Sequence, residues 1–277
     1  MCCKNMNVKE THFGACCSRP DLNGIIIPGK HGKLLATLYT AGGEGSHPTI
    51  LLLHGIPGCE QNLDLAQAFR RAGFHVMTFH YSGSWGSSGD YSLQNDLDDA
   101  ETVLDFILND TTYNFDKEKI YAAGHSLGGF VCGQITARRS EIKGAALLMP
   151  CNIGRIAKIA ENDPENAKVL EDVLNDSVNW LTGLTEGCLY KEAAEHEKDY
   201  ALEYQAAALS KKPLLCITGS LDICTPKKEH LQPVLDAINA SGGGNVKTLE
   251  YPTDHFFSDY RLEISDITTE FFKNLAV

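Results

Sequence analysis

The chain is expected to form an α/β domain built on a mostly parallel sheet, and three observations predict it. Short apolar strands alternate with longer helical patterns from Thr49 to Met149. The same alternation resumes at Pro213 and runs to the C-terminus. Between the two blocks lies an interval, Cys151 to Lys212, too long for an ordinary loop and rich in Ala, Glu, Lys and Leu.

Gly24–Pro28 and Lys33–Tyr39 read as two strands joined by the Gly29/Gly32 turn region, an antiparallel entry to the sheet. Strand Thr49–His54, a helix near Asn62–Ala72, strand Phe74–His80 and a helix near Leu93–Asn109 follow. Strand Lys119–Ala123, helix Ser126–Arg139 and strand Gly144–Met149 complete the first block, the pattern of a parallel sheet with crossover helices. The second block holds strand Pro213–Thr218, a helix around Lys227–Ala240, strand Val246–Tyr251 and a last helix near Phe256–Leu275. The expected division is a flexible N-terminal segment 1–20, a core made of 21–150 and 213–277, and a helical cap insertion over 151–212.

With 277 residues and 43% hydrophobic content the chain can bury a full core. A formal net charge of −12 argues against nucleic acid or an anionic membrane as partner, because the summed field repels phosphate. No run of about 18 apolar residues exists, and Met1–Lys9 lacks the apolar stretch of a signal peptide, so the expectation is a cytoplasmic protein with no membrane span. Its ten cysteines are spread along a long chain and are expected to be mostly reduced thiols. The doublets Cys2-Cys3 and Cys16-Cys17 admit a four-thiolate metal site or an acylation site, but adjacent cysteines splay apart, and a flexible N-terminal segment is the simpler expectation.

The chemistry-bearing motif is Gly124-His125-Ser126-Leu127-Gly128-Gly129, entered from an apolar strand and left by a helical pattern. At a sharp strand-to-helix turn the backbone passes so close to itself that side chains at the glycine positions would clash, and Ser126 is left exposed above the sheet. Serine is a poor nucleophile at neutral pH and needs a base to accept its proton. His255, in Thr253-Asp-His-Phe-Phe after strand Val246–Tyr251, falls at the carboxyl edge of the sheet with Ser126. His230 sits within a helical pattern; His54, His80, His125 and His196 are expected to pack. Asp222, just past strand Pro213–Thr218, is expected to fix the imidazole tautomer, with Asp254 the rival too close in sequence to reach back to the ring. The backbone N–H groups of Leu127 and of Ile56, in His54-Gly-Ile-Pro-Gly58, are the expected oxyanion donors; Pro57 has none to offer.

These segments, in this order, resemble the α/β-hydrolase superfamily from about Ile25 to the C-terminus. Within it, Phe79-His-Tyr-Ser-Gly-Ser-Trp-Gly-Ser-Ser-Gly89 is similar to carboxylesterases of the cinnamoyl (feruloyl) esterase and serine-aminopeptidase-like group, although Tyr81-Ser-Gly-Ser stands where many of those have Asp or Asn before Arg-Gly-x-Gly. The resemblance implies an eight-stranded-type, mostly parallel sheet and an acyl-serine mechanism with no metal or organic cofactor. The partner it implies is a small-molecule ester, bound in a pocket bounded by the cap, Ile56, Cys59, Trp85, Ile223 and Phe256. Cys59, Cys151 and Cys224 are expected near the site. Monomer and homodimer are left open. Two other readings remain: a peptidase or amidase whose acidic cap residues (Glu161, Asp163, Glu165, Glu171, Asp172, Glu192) bind an amine, and a hydrolase-fold binding module.

Overall fold

A computed structural model describes residues 19–277; the doublets Cys2-Cys3 and Cys16-Cys17 lie outside the described residues. The strands are β1 (Asp21–Pro28), β2 (Lys33–Thr40), β3 (His47–Leu53), β4 (His75–Phe79), β5 (Phe115–His125), β6 (Ile142–Leu148), β7 (Leu214–Gly219) and β8 (Val246–Tyr251). They form one eight-stranded sheet in the order β1-β2-β4-β3-β5-β6-β7-β8. β2 runs antiparallel to both β1 and β4, and every pairing from β4 to β8 is parallel. The expected architecture is therefore observed: a mostly parallel eight-stranded sheet flanked by helices.

The parallel strands are apolar on both faces because helices cover both. In β3, Leu51 and Leu53 face one core and Ile50 and Leu52 the other; β6 splits in the same way, Ala145 and Leu147 against Ala146 and Leu148. On one face α1 (Leu63–Arg71) and the last helix (Arg261–Leu275) meet, Phe69 and Phe272 edge to face with centroids 5.6 Å apart. On the other lie α2 (Leu93–Asn109) and α3 (Leu127–Arg138). Residues 127–136 of α3 are all buried, as a helix must be when the sheet lies beneath it and further helices above.

Those further helices come from the interval between β6 and β7: α4 (Ile156–Asn162), α5 (Pro164–Asp176), α6 (Cys188–Glu195), α7 (Glu197–Tyr200) and α8 (Ala206–Leu209). Asp163 caps α5 by accepting from Asn166 N at 3.1 Å, with Pro164 opening the helix. Glu192 on α6 accepts from the N–H groups of Leu93 and Gln94, joining the interval to the start of α2.

Two expected helices differ. Lys227–Ala240 is broken into α9 (Lys227–His230) and α10 (Gln232–Ala240), with Pro233 opening the second. The last helix, α11 (Arg261–Leu275), begins five residues later than the apolar pattern suggested. Asp254 draws the chain into a turn by accepting from Phe256 N, Ser258 N and Ser258 Oγ, and Phe257 takes φ 58°. Among the described residues no helix is long and apolar enough to cross a membrane.

Candidate active site

Ser126 alone makes the turn between β5 and α3, with φ 59° and ψ −124°, a conformation that costs of order 1–3 kcal/mol and persists only where the surroundings enforce it. The surroundings are backbone. A Cβ on Gly124 would overlap the carbonyl oxygen of Gly128, and one on Gly128 would overlap that of Leu53. Gly55 is just as constrained, since a Cβ there would lie 2.9 Å from the Ser126 Cβ. The glycines thus let β3, its following loop and the serine turn share one small volume.

The loop after β7 brings in Asp222 and the loop after β8 brings in His255, whose Nδ1 lies 2.8 Å from Asp222 Oδ2. Asp222 is held on all sides. Its Oδ1 accepts from the backbone N–H of Cys224 at 2.8 Å and of Thr225 at 3.0 Å, and its Oδ2 accepts the Thr225 hydroxyl at 2.7 Å. Burial pushes the Asp222 carboxyl up, but the His255 hydrogen bond and charge, together with the Thr225 donors, outweigh it and hold the group below the usual carboxylate range. An ionised acceptor at Nδ1 keeps the proton there and leaves His255 Nε2 as the lone-pair nitrogen.

His125, which follows Gly124, sits behind this pair. Its Nε2 donates to the His255 carbonyl oxygen at 2.7 Å, and burial with the neighbouring His255 lowers its pKa to about 3, so it stays neutral and anchors the His255 backbone. Asp254 spends its oxygens on Phe256 and Ser258 and makes no bond to the His255 ring. His230 is a packed residue: it accepts from Asn152 N at 3.0 Å, faces Asn166 Oδ1 at 3.2 Å, and burial lowers its pKa to about 3. His54 donates to Gly55 O at 2.7 Å within the loop after β3, His80 contacts Gln61, and His196 packs against Tyr200.

Ser126 and His255 line one open cavity of about 740 Å³, counting its mouth. No direct hydrogen bond joins the two side chains, a contact that commonly tightens once substrate is bound. Ile56 and Leu127 also line it, and neither N–H is engaged by another group among the described residues. The remaining wall is largely apolar, with Ile153, Leu170, Val173, Leu174 and Phe256 prominent. Cys59, Cys151 and Cys224 line it as well; burial raises the last two thiols, Cys224 to about 11 with help from the Asp222 charge. Asp222, Cys224 and His255 have ligand atoms within 4.8 Å of one another. Both Asp222 oxygens are already committed, and the thiol is held protonated, so the set suits a hydrogen-bonded pair better than a cation.

Several expected site residues lie elsewhere. Trp85 and Ile223 are not among the lining residues: Trp85 stacks on Trp180, and Ile223 is 69% exposed because its turn presents the backbone inward, where Ile223 O accepts from Asn166 Nδ2. None of the six acidic residues that the peptidase reading invokes lines the cavity either. Asp163 caps a helix, Asp172 pairs with Lys168, and Glu192 caps α2. The charged side chain that does line it is Glu60. Thr225 was missed by sequence reasoning, although its position three residues after Asp222 is the spacing of a side-chain-capped turn.

A parallel sheet with a strained serine turn and a carboxylate-bound histidine at its carboxyl edge defines a recognisable class. Residues 48–231 match the sequence pattern of the alpha/beta hydrolase fold family, and the chain belongs to it. Lysophosphatidylserine lipase ABHD12 of Gallus gallus is 34% identical over 125 residues, 43% of this chain and 32% of that protein; its Bos taurus counterpart is 34% identical over 127 residues, 44% and 31%. The chain thus spans about a third of the length of the curated relatives it matches. Among solved structures, the Pyrococcus furiosus esterase Pf2001 superposes with a TM-score of 0.68 at 17% identity over 92% of this chain and 91% of that one. Est1E from Butyrivibrio proteoclasticus gives 0.68 at 20% over 91% and 98%, and the Pyrococcus horikoshii acylaminoacyl peptidase 0.69 at 16% over 92% and 42%. At these identities the structural likeness shows the fold.

Proposed function

We propose that the protein is a serine hydrolase that cleaves carboxylic esters of hydrophobic or aromatic acyl groups through an acyl-serine intermediate. The observation that carries the reading is the convergence of Ser126, on its strained turn, with the Asp222–His255 pair at one apolar cavity. Ser126 Oγ attacks the ester carbonyl while His255 Nε2 takes its proton, and Asp222 holds the imidazolium through Nδ1–H. The oxyanion that forms accepts from the N–H groups of Ile56 and Leu127. The alcohol leaves with the proton from His255, and a water activated by the same nitrogen then releases the acid. In this reading the 151–212 interval is the cap, and α5 supplies the acyl wall through Leu170, Val173 and Leu174.

A lysophosphatidylserine lipase among the sequence relatives, and esterases among the proteins that share the fold, support the ester class. Placement of the acidic residues away from the cavity gives the amine-binding peptidase reading no support of its own. Hydrolysis of a chain-length series of p-nitrophenyl esters and of methyl hydroxycinnamates, by wild type and by Ser126→Ala, tests the proposal. The expected result is activity that vanishes in the variant; a folded wild type inert toward every ester in the series would overturn it.

A further inference from the structure

Trp85 and Trp180 are the only two tryptophans of the chain, and they stack on each other with ring centroids 6.3 Å apart and planes 20° apart. Trp85 is also strained, with φ 44°, although it is not a glycine. Its indole Nε1 donates to Pro57 O at 2.6 Å, the carbonyl directly after Ile56. The ring lies so close to this loop that a Cβ on Gly58 would approach Nε1 to 2.9 Å.

The loop carrying Trp85 is firmly anchored. Ser82 N donates to Asp99 Oδ2 at 2.6 Å, and the Tyr91 hydroxyl donates to Asp96 Oδ2 at 2.7 Å. The segment carrying Trp180 is zipped to it by two backbone bonds, Thr182 N to Gly83 O at 2.8 Å and Tyr91 N to Thr182 O at 2.9 Å. That segment follows α5, whose Leu170, Val173 and Leu174 line the cavity. A chain of contacts therefore runs from the acyl wall on α5, through Trp180 and Trp85, to the Pro57 carbonyl, in the loop that carries the Ile56 N–H.

We infer that Trp85 is a positioning residue, which fixes the Ile56 N–H for the developing oxyanion and couples it to the helical segment through Trp180. The inference rests on the ester-hydrolase reading. The indole N–H restrains the Ile56–Pro57–Gly58 backbone without touching substrate, so its contribution belongs to the transition state, where the donor must meet the oxyanion. The strained backbone of Trp85 is what aims the indole at Pro57 O while its face remains on Trp180.

The test uses wild type, Trp85→Phe, Trp180→Ala and the double variant, with p-nitrophenyl butyrate hydrolysis and the rate of labelling by a fluorophosphonate. Trp85→Phe keeps an aromatic ring and loses the donor, so kcat is expected to fall about three- to tenfold with KM nearly unchanged. Trp180→Ala, at a 57% exposed position, removes the stack without entering the core and should lower kcat in the same sense. Because both act through one bridge, the double variant should lose less than the product of the two single effects. The paired indoles of the wild type should give an exciton couplet in circular dichroism, which reports the stack independently of turnover. An active wild type with an unaffected Trp85→Phe, a loss expressed only in KM, multiplying single effects, or no couplet would each overturn the positioning role. A wild type that neither turns over esters nor labels would remove the ester-hydrolase reading, and the positioning role with it.

Discussion

Replacing Asp222 by Asn isolates the role of the carboxylate, because four donors surround it and their geometry decides which way the amide must face. Oδ1 accepts two backbone N–H groups, from Cys224 and Thr225. Turning the new NH₂ toward them would leave both buried donors unsatisfied, at about 1–3 kcal/mol each. The amide oxygen therefore stays on that side and the NH₂ takes the place of Oδ2, where it faces His255 Nδ1. It can only donate, so Nδ1 must give up its proton, and the imidazole flips to the tautomer that carries hydrogen on Nε2. That nitrogen then has no lone pair for Ser126. Lost base and lost imidazolium stabilisation together amount to about 10⁴-fold in kcat where such a carboxylate has been exchanged, so a fall of at least about 10³-fold is expected for ester hydrolysis at pH 7.5. Recovery at high pH, where hydroxide substitutes for the base, should accompany it. Steady-state kinetics on p-nitrophenyl butyrate, with circular dichroism to show that the fold persists, is the assay. An Asp222→Asn enzyme within tenfold of wild type would refute the assignment of the carboxylate.

Thr225→Val removes one donor from Asp222 while keeping its shape; kcat should fall about tenfold with little change in KM, and an unchanged kcat would mean the two backbone donors suffice. Gly128→Ala forces a Cβ onto the Leu53 carbonyl, so thermal unfolding should come roughly 10 °C earlier, and a variant as stable as wild type would contradict the packing described here. His54 and His75 are lowered to about 4, and His125 and His230 to about 3, each by burial first. Their folded values lie below the unfolded 6.5, so their stabilisation is complete above pH 6.5 and is lost as pH falls toward 4. These histidines take up protons when the chain unfolds in that window, while the buried Asp96 and Asp99 carboxyls, raised by burial, release theirs; the histidines outnumber them, so the denaturant midpoint should fall between pH 7 and pH 5, and a midpoint that does not move would refute it.

Most of the sheet was legible because its code is local: apolar runs of strand length bounded by glycine, and helical periodicity between them. The serine turn was legible for a related reason, since only glycine tolerates the backbone approaches at positions 124 and 128. Positions fixed by long-range hydrogen bonds were not. The start of α11 depends on how Asp254 binds Phe256 and Ser258, and the break at Leu231 on a proline that was read as part of a continuous helix. Trp85 and Ile223 were expected in the pocket from their place in the sequence, but a side chain's direction out of a loop is set by the turn, and these turns point the rings and methyls elsewhere. His125 and Trp180 act through partners far away in the chain, the His255 carbonyl 130 residues on and the Trp85 ring, and no short-range pattern announces such contacts.

The central claim is that Ser126 is the nucleophile of an acyl-transfer site. Intact-mass analysis after treatment with a fluorophosphonate, followed by peptide mapping, tests it most directly in wild type, Ser126→Ala and His255→Gln. One adduct is expected on wild type, on the peptide containing Ser126, with none on Ser126→Ala and greatly slowed labelling of His255→Gln. An adduct elsewhere, or equal labelling of the Ser126→Ala protein, would contradict the account.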